Sequence, residues 1–139
     1  MSSPLENLVK AGRSLSAEPP DRKEFDRLVR MGRVRLTDAA NPTLGIESRF
    51  DLACNASFSL ALAALRRTGY RAKERYIVFQ VLPHTLGLGP EVWRVLDKAH
   101  AHRNLAEYRG DIGVEPALVD AVIVAAGKVL DALDRLPPP

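Results

Sequence analysis

Hydrophobic and polar residues follow one another along this chain with the period of α-helices. Apolar side chains recur at intervals of three and four residues in four long segments, which short stretches containing Pro, Gly or Asn separate. The pattern predicts helices over residues 4–15, 21–40, 44–68, 75–86, 90–109 and 115–135. We therefore expect one all-α domain over residues 1–139, an up-and-down helical bundle of four main helices with one or two shorter ones.

Start and stop signals agree with these boundaries. Ser3 begins a capping sequence for the first helix, and Pro19-Pro20 separates that helix from the second, which Asp21 is placed to cap. Gly69 is placed to end the third helix. The third helix is rich in Ala and Ser, which allow helices to approach closely, so we predict that it is the central helix of the bundle.

The segment Tyr76–Leu82 has the β-branched and aromatic composition of a strand. No other segment of the chain has a pattern that would pair with it, and a lone strand leaves its backbone groups without partners. We therefore interpret this segment as part of a short helix over residues 75–86, which Pro83 disturbs.

Composition and charge leave the class of partner open. The chain is 46% hydrophobic and 27% charged, as in ordinary globular domains, and its net charge of +3 permits an anionic partner without requiring one. Basic residues crowd the second helix, where Arg27 and Arg30 form the centre of a basic face. Such a face is more often simply solvated, but it could also guide a nucleic-acid backbone.

Several function classes find no support in the sequence. Cys54 is the single cysteine, so no internal disulfide forms; it lies in an apolar stretch and is predicted to be a core residue in a reducing cytoplasm. His100 and His102 point to nearly opposite sides of a helix, so no metal site is expected. No phosphate-binding loop, cofactor motif, signal peptide or membrane-spanning run occurs in the sequence, and we expect a cytoplasmic location.

The segment His100–Asp111 carries the densest group of polar side chains in the chain. On a helical wheel Arg103 falls inside the apolar arc of its helix, where a guanidinium needs a partner, and Glu107 one turn on is predicted to supply it. His100 and Asn104 lie beside Arg103, and Tyr108 lies further round. Read from the residues alone, this group is either a buried ion pair that braces the helix or the lining of a functional cleft.

The run Arg103-Asn104-Leu105-Ala106-Glu107-Tyr108-Arg109-Gly110 resembles the signature of HEPN domains (higher eukaryote and prokaryote nucleotide-binding). That signature is an Arg, usually followed by a polar residue such as Asn, with a His a few residues further on. The helix around Leu52–Ala56 and the Arg-x-x-Gly-Tyr turn at Arg66–Tyr70 also resemble this group. The resemblance extends over residues 44–133.

The resemblance implies a fold, a partner and an activity. HEPN domains are helical bundles that often form homodimers in which both copies of the motif share a cleft. Many are metal-independent ribonucleases, frequently toxins paired with a small nucleotidyltransferase antitoxin, and others bind nucleotides or partners without chemistry. Carried over to this chain, the cleft residues are Arg103, Asn104, Glu107 and Tyr108, with His100 and Arg109 beside them.

The chain departs from the signature where the family has its His, because Tyr108 stands there. A phenol with an ordinary pKa near 10 is a poor base at neutral pH, whereas a His is well suited to this role. We therefore expect an RNA- or nucleotide-binding domain with lost or altered ribonuclease activity, in which Arg103 and Tyr108 are the candidate catalytic residues. The alternative is a non-catalytic interaction module that forms a homodimer or docks a partner protein.

Overall fold

A computed structural model describes residues 4–10, 14–110 and 113–139. The helices are α1 (Pro4–Lys10), α2 (Arg22–Ala39), α3 (Ile46–Arg67), α4 (Ile77–Gln80), α5 (Leu82–Thr85), α6 (Pro90–Arg109) and α7 (Pro116–Asp134). Two short strands, β1 (Leu15–Ala17) and β2 (Tyr70–Ala72), pair antiparallel. The predicted all-α bundle with four main helices is confirmed.

Helix α3 is the centre of the bundle. It packs against α2, α7 and α6, and it carries more buried residues than any other described helix. Most of the side chains it buries are small, and they include Ala53, Ala56, Ser57, Ala61 and Ala64. Because small side chains let helix backbones approach, the Ala- and Ser-rich sequence of α3 accounts for its central place, as predicted. Helices α2 and α6 flank the pair formed by α3 and α7.

Helices α2 and α3 approach each other closely at Gly32. A Cβ atom added at Gly32 would lie 2.5 Å from both Cγ and Cδ2 of Leu60, which is fully buried. We expect Gly32→Ala to lower the free energy of unfolding by about 1–2 kcal/mol, although Ala is the better helix former, because the added methyl group would force the buried Leu60 side chain to shift within the core. Urea denaturation followed by circular dichroism measures this change.

Gly127, in the middle of α7, is the matched control for this substitution. A Cβ atom at Gly127 would meet no other atom within 4 Å. Gly127→Ala should therefore raise the free energy of unfolding by up to about 1 kcal/mol, since only helix propensity changes. Equal effects of the two substitutions would contradict a close approach at Gly32.

The chain between α1 and α2 differs from its prediction. The helix predicted over residues 4–15 is wrong at its C-terminal end, because Leu15–Ala17 forms strand β1 and pairs with Ala72, Arg71 and Tyr70. The side chain of Leu15 is fully buried, so a core contact fixes this strand rather than local helix propensity. The predicted cap at Ser3 and the residue Asp111 lie outside the described residues.

The other boundary predictions hold closely. Asp21 caps α2, its carboxylate accepting hydrogen bonds from the backbone N–H groups of Lys23 and Glu24. Gly69 follows the end of α3 with a φ of 91°, in the left-handed region that favours glycine. The segment 75–86 is helical, as predicted, but is divided into the single-turn helices α4 and α5, with Pro83 in the first turn of α5.

A buried arginine joins both strands to the ends of α2 and α3. The guanidinium of Arg66, with a side chain only 1% exposed, donates 2.6 Å to Glu24 and also donates to three backbone carbonyls, those of Glu18, Pro19 and Tyr70. Arg71 on β2 donates to the carboxylates of Glu18 and Glu24. These residues, Glu18, Glu24, Arg66 and Arg71, are called the Arg66 cluster below.

None of the helices in the described part of the chain combines the length and apolar character that crossing a bilayer requires.

Candidate functional site

The polar segment predicted to carry function forms the C-terminal half of α6. Pro90 occupies the first turn of this helix, and Gly110 ends it with a φ of 86°, which only glycine adopts without strain. The N-terminal half buries Val92, Leu96 and Ala99 in the core, whereas most residues from 101 onwards are partly or fully exposed. The last two turns of the helix therefore lie at the surface.

Arg103 is held by two helices. Its Nη1 donates 2.9 Å to the side-chain oxygen of Asn55 on α3, and its Nε lies 3.3 Å from Asp51 and 3.4 Å from Glu107. Glu107, the partner predicted from the sequence, therefore lies within ion-pair distance of Arg103. Asp51 and Asn55 were not predicted as partners, although with Glu47 they form a polar row at intervals of four residues along α3, which the sequence shows. Nε is buried and makes no hydrogen bond of good geometry, because neither carboxylate lies in line with its N–H.

A cavity of about 210 Å³ opens beside Arg103, between α3 and the end of α6. Its lining residues are Glu47, Phe50, Asp51, Arg103, Ala106, Glu107, Gly110 and Val114. Three carboxylates face one guanidinium, and that guanidinium is already paired. The cavity therefore has a negative balance of charge, which disfavours a phosphate group.

His100 turns away from this cavity into the core. It is 2% exposed, and its Nε2 lies 3.1 Å from the carbonyl oxygen of Cys54 and 3.2 Å from Ser57 Oγ. Its ring packs 4.6 Å from Phe79 between ring centroids. Burial, with the nearby positive charges of Arg103 and Arg75, lowers the pKa of His100 to about 4, so it is neutral at physiological pH.

The remaining predicted residues of α6 lie outside the cavity. Asn104 donates a hydrogen bond to the hydroxyl of Tyr76. Tyr108 is 90% exposed and Arg109 is also exposed. His102 Nε2 lies 3.0 Å from the carbonyl oxygen of Gly113, and its ring packs edge-on against Phe50. The structure thus brings Arg103 and Glu107 together, but Asn104 and Tyr108 do not join them in one cleft within a single chain.

The basic face of α2 lies on the other flank of the bundle. Arg27 and Arg30 are exposed, and neither has an ion pair with another described residue. Neighbouring basic residues are partly neutralised, because Arg22 pairs with Asp26 at 3.1 Å and Arg33 pairs with Asp134 at 2.7 Å. This face is therefore less basic than the residue count of α2 indicates.

Cys54 is a core residue, as predicted. It is fully buried, and burial raises the pKa of its thiol to about 12, which leaves it without nucleophilic thiolate. Among residues 4–10, 14–110 and 113–139, no group of three His, Cys, Asp or Glu side chains is placed to hold a metal ion. At the end of α6, the side chains of Tyr108 and Arg109 are exposed to solvent.

Comparison of the chain with protein-family models, with curated proteins and with solved structures gives no match.

Proposed function

We propose that this chain is a HEPN-like domain that binds single-stranded RNA at the end of α6 without cleaving it. The observation that carries the proposal is Tyr108, which is 90% exposed in the last turn of α6. A tyrosine ring with both faces free can stack on a base of any type, because every base has a π-face. Arg109, its exposed neighbour, supplies a positive charge for the phosphate backbone.

Binding without cleavage follows from the state of the histidines near the motif. Base-assisted cleavage needs a proton acceptor near the 2′-hydroxyl with a pKa near the working pH. His100 is buried and has a pKa of about 4, and His102 is engaged with Gly113. The ring of Tyr108 is open to a nucleobase of the RNA, but a phenol is a poor proton acceptor at neutral pH.

The exposed ring is favoured over the Arg103 cavity as the RNA contact because of charge. Glu47, Asp51 and Glu107 surround that cavity, so a phosphate entering it would meet three carboxylates. Arg103 then acts as a brace between α3 and α6, held by Asn55 and Asp51. Its effect on RNA binding is expected to be indirect, through the position of the end of α6.

Fluorescence anisotropy with a short labelled single-stranded RNA tests the proposal. Tyr108→Ala is expected to weaken binding about tenfold or more, since stacking of one base contributes about 1–3 kcal/mol, whereas Tyr108→Phe keeps the affinity. Arg109→Ala should weaken binding and lower the salt dependence by about one counterion. The RNA should remain intact on a denaturing gel.

Arg135 offers a matched control, because it is an exposed arginine that follows the C-terminal end of α7. At 1.5 Å per residue, the two ends of α7 are about 27 Å apart, and α6 precedes the N-terminal end. Arg135→Ala should leave the affinity unchanged. Unchanged binding by Tyr108→Ala, or metal-independent cleavage of the RNA, would overturn the proposal. A loss of binding confined to Arg27→Glu and Arg30→Glu would move the RNA site to α2.

A further inference from the structure

The guanidinium of Arg75 lies over the aromatic ring of Phe58, with its Cζ atom 4.0 Å from the ring centroid. At this distance the cation contacts the face of the ring, which attracts positive charge. Arg75 is nevertheless exposed, and within the described part of the chain it forms no ion pair. The ring of Phe58 therefore covers one side of the guanidinium and leaves the opposite side to solvent.

A guanidinium in this position offers a surface on which a nucleobase can stack. It is planar and delocalised, and bases of single-stranded RNA stack on arginine planes as well as on aromatic rings. A carboxylate partner would neutralise the charge of Arg75, but no described carboxylate pairs with it. Arg75 thus combines an open stacking surface with a positive charge for the neighbouring phosphate.

The backbone places Arg75 beside α6. Arg75 and Tyr76 are the two central residues of the turn that precedes α4, which a hydrogen bond of 3.3 Å from the N–H of Ile77 to the carbonyl oxygen of Glu74 closes. The hydroxyl of Tyr76 accepts a hydrogen bond from the side-chain amide of Asn104 on α6. This bond joins the turn that carries Arg75 to the C-terminal half of α6.

Asn104 precedes Tyr108 by one helical turn. The two residues lie on the same side of α6, about 6 Å apart along its axis. Tyr108, the Tyr76–Asn104 hydrogen bond and Arg75 therefore follow one another across the surface. The groups that connect the two stacking surfaces are an amide and a hydroxyl, which do not repel a phosphate, in contrast to the three carboxylates of the Arg103 cavity.

We propose that an RNA strand with one base stacked on Tyr108 continues across the Tyr76–Asn104 hydrogen bond and stacks a further base on Arg75. This inference rests on the proposed function, because it extends the RNA site from the end of α6 to the turn before α4. Both stacking surfaces accept any base, so the longer site adds affinity without sequence preference. It also makes binding depend on the length of the RNA, since only a strand of several nucleotides reaches both surfaces.

Fluorescence anisotropy with labelled hexauridylate and diuridylate tests the proposal. Arg75→Ala should weaken the binding of hexauridylate about fivefold or more, and the gain in affinity from diuridylate to hexauridylate should be smaller than in the wild type. Arg75→Lys keeps the charge but lacks the planar group, so the affinity for hexauridylate should fall while its salt dependence stays unchanged. Thermal unfolding of both variants should match that of the wild type, because Arg75 is exposed.

Arg94 is the matched control, because it is another exposed arginine with its guanidinium over a ring. Its Cζ lies 5.3 Å from the ring centroid of Trp93, but Arg94 precedes Tyr108 by about 21 Å along α6 at 1.5 Å per residue. Arg94→Ala should bind both RNAs as the wild type does.

The outcomes separate this inference from the proposed function. If Tyr108→Ala loses binding while Arg75→Ala binds hexauridylate like the wild type, the strand does not reach Arg75 and the inference fails alone. If neither substitution changes the affinity, the proposed function fails with it. Full wild-type affinity in Arg75→Lys would show that Arg75 contributes charge without stacking, which also contradicts the inference.

Discussion

Arg66→Met is expected to lower the free energy of unfolding by about 3–5 kcal/mol, the loss typical when one partner of a buried ion pair is removed. The guanidinium satisfies the carbonyl oxygens of Glu18, Pro19 and Tyr70 and pairs with Glu24 at 2.6 Å, in a site where the arginine side chain is 1% exposed. Methionine fills a similar volume but removes the guanidinium donor of the three carbonyl oxygens, while Glu24 keeps only its hydrogen bonds from Arg71. Because domains are stabilised by only about 5–15 kcal/mol, the variant should be close to unfolding at room temperature.

Arg67 is the matched control, since it is the next residue on the same helix. Its guanidinium donates 2.8 Å to the carbonyl of Pro137 in an exposed position. Arg67→Met should therefore change the free energy of unfolding by no more than about 0.5 kcal/mol. Urea denaturation of both variants, followed by circular dichroism, gives the comparison. A loss below about 1 kcal/mol in Arg66→Met would show that water replaces the guanidinium and that the Arg66 cluster does not hold the strands to the helices.

The Arg66 cluster could not be predicted from the sequence, whereas the Arg103–Glu107 pair could. Partners four residues apart on one helix follow from helical geometry alone, and these two side chains lie 3.4 Å apart in the structure. Arg66 instead takes its acceptors from Glu18, Pro19 and Glu24, more than forty residues earlier in the chain. Three of its four acceptors are backbone carbonyls, which every residue has and which therefore leave no signal in the sequence.

The same distinction explains which elements of the fold were predicted. The long helices and their ends at Asp21, Gly69 and Gly110 depend on local periodicity and local capping, which the sequence displays directly. Strands β1 and β2 have three residues each, too few to show a period of two. The helix predicted over residues 4–15 includes Leu15, but the strand with which Leu15 pairs lies more than fifty residues later in the chain.

The helical wheel of α6 correctly predicted that Arg103 points towards the bundle, but it did not predict where the neighbouring side chains point. One helical step of three residues separates Arg103 from His100, and this is enough to take His100 from the surface into the core between Phe79 and Ser57. The sequence showed which side of α6 is apolar, but not that α4 packs over that side and closes it. Tyr108 faces water for the complementary reason, since no described element reaches the last turn of α6 on its side.

Acidification from pH 6.5 to pH 4 is expected to lower the free energy of unfolding by about 3 kcal/mol through His100. The pKa of this residue in the folded chain is about 4, below the ordinary value of 6.5 that it regains on unfolding. Above pH 6.5 the ring is neutral in both states, so the full stability is present. Between the two values only the unfolded chain takes up the proton, so stability falls as the pH falls. Urea denaturation at a series of pH values measures this slope.

His100→Gln separates this effect from that of the carboxylates. The glutamine amide can still donate to the carbonyl of Cys54, as Nε2 does at 3.1 Å, but it does not titrate. Hydrogen bonds from Arg71 lower the pKa of Glu18. Burial raises the pKa of Glu24, but hydrogen bonds from Arg71 and Arg66 outweigh burial and lower it. The stability that these two carboxylates contribute is therefore lost only as the pH falls below their ordinary pKa of 4.5. The variant should therefore be less stable at pH 7 but nearly independent of pH from 6.5 to 4.5. A wild-type chain with no slope in that range, or a variant that keeps the slope, would show that His100 is reached by water and takes up its proton in the folded state.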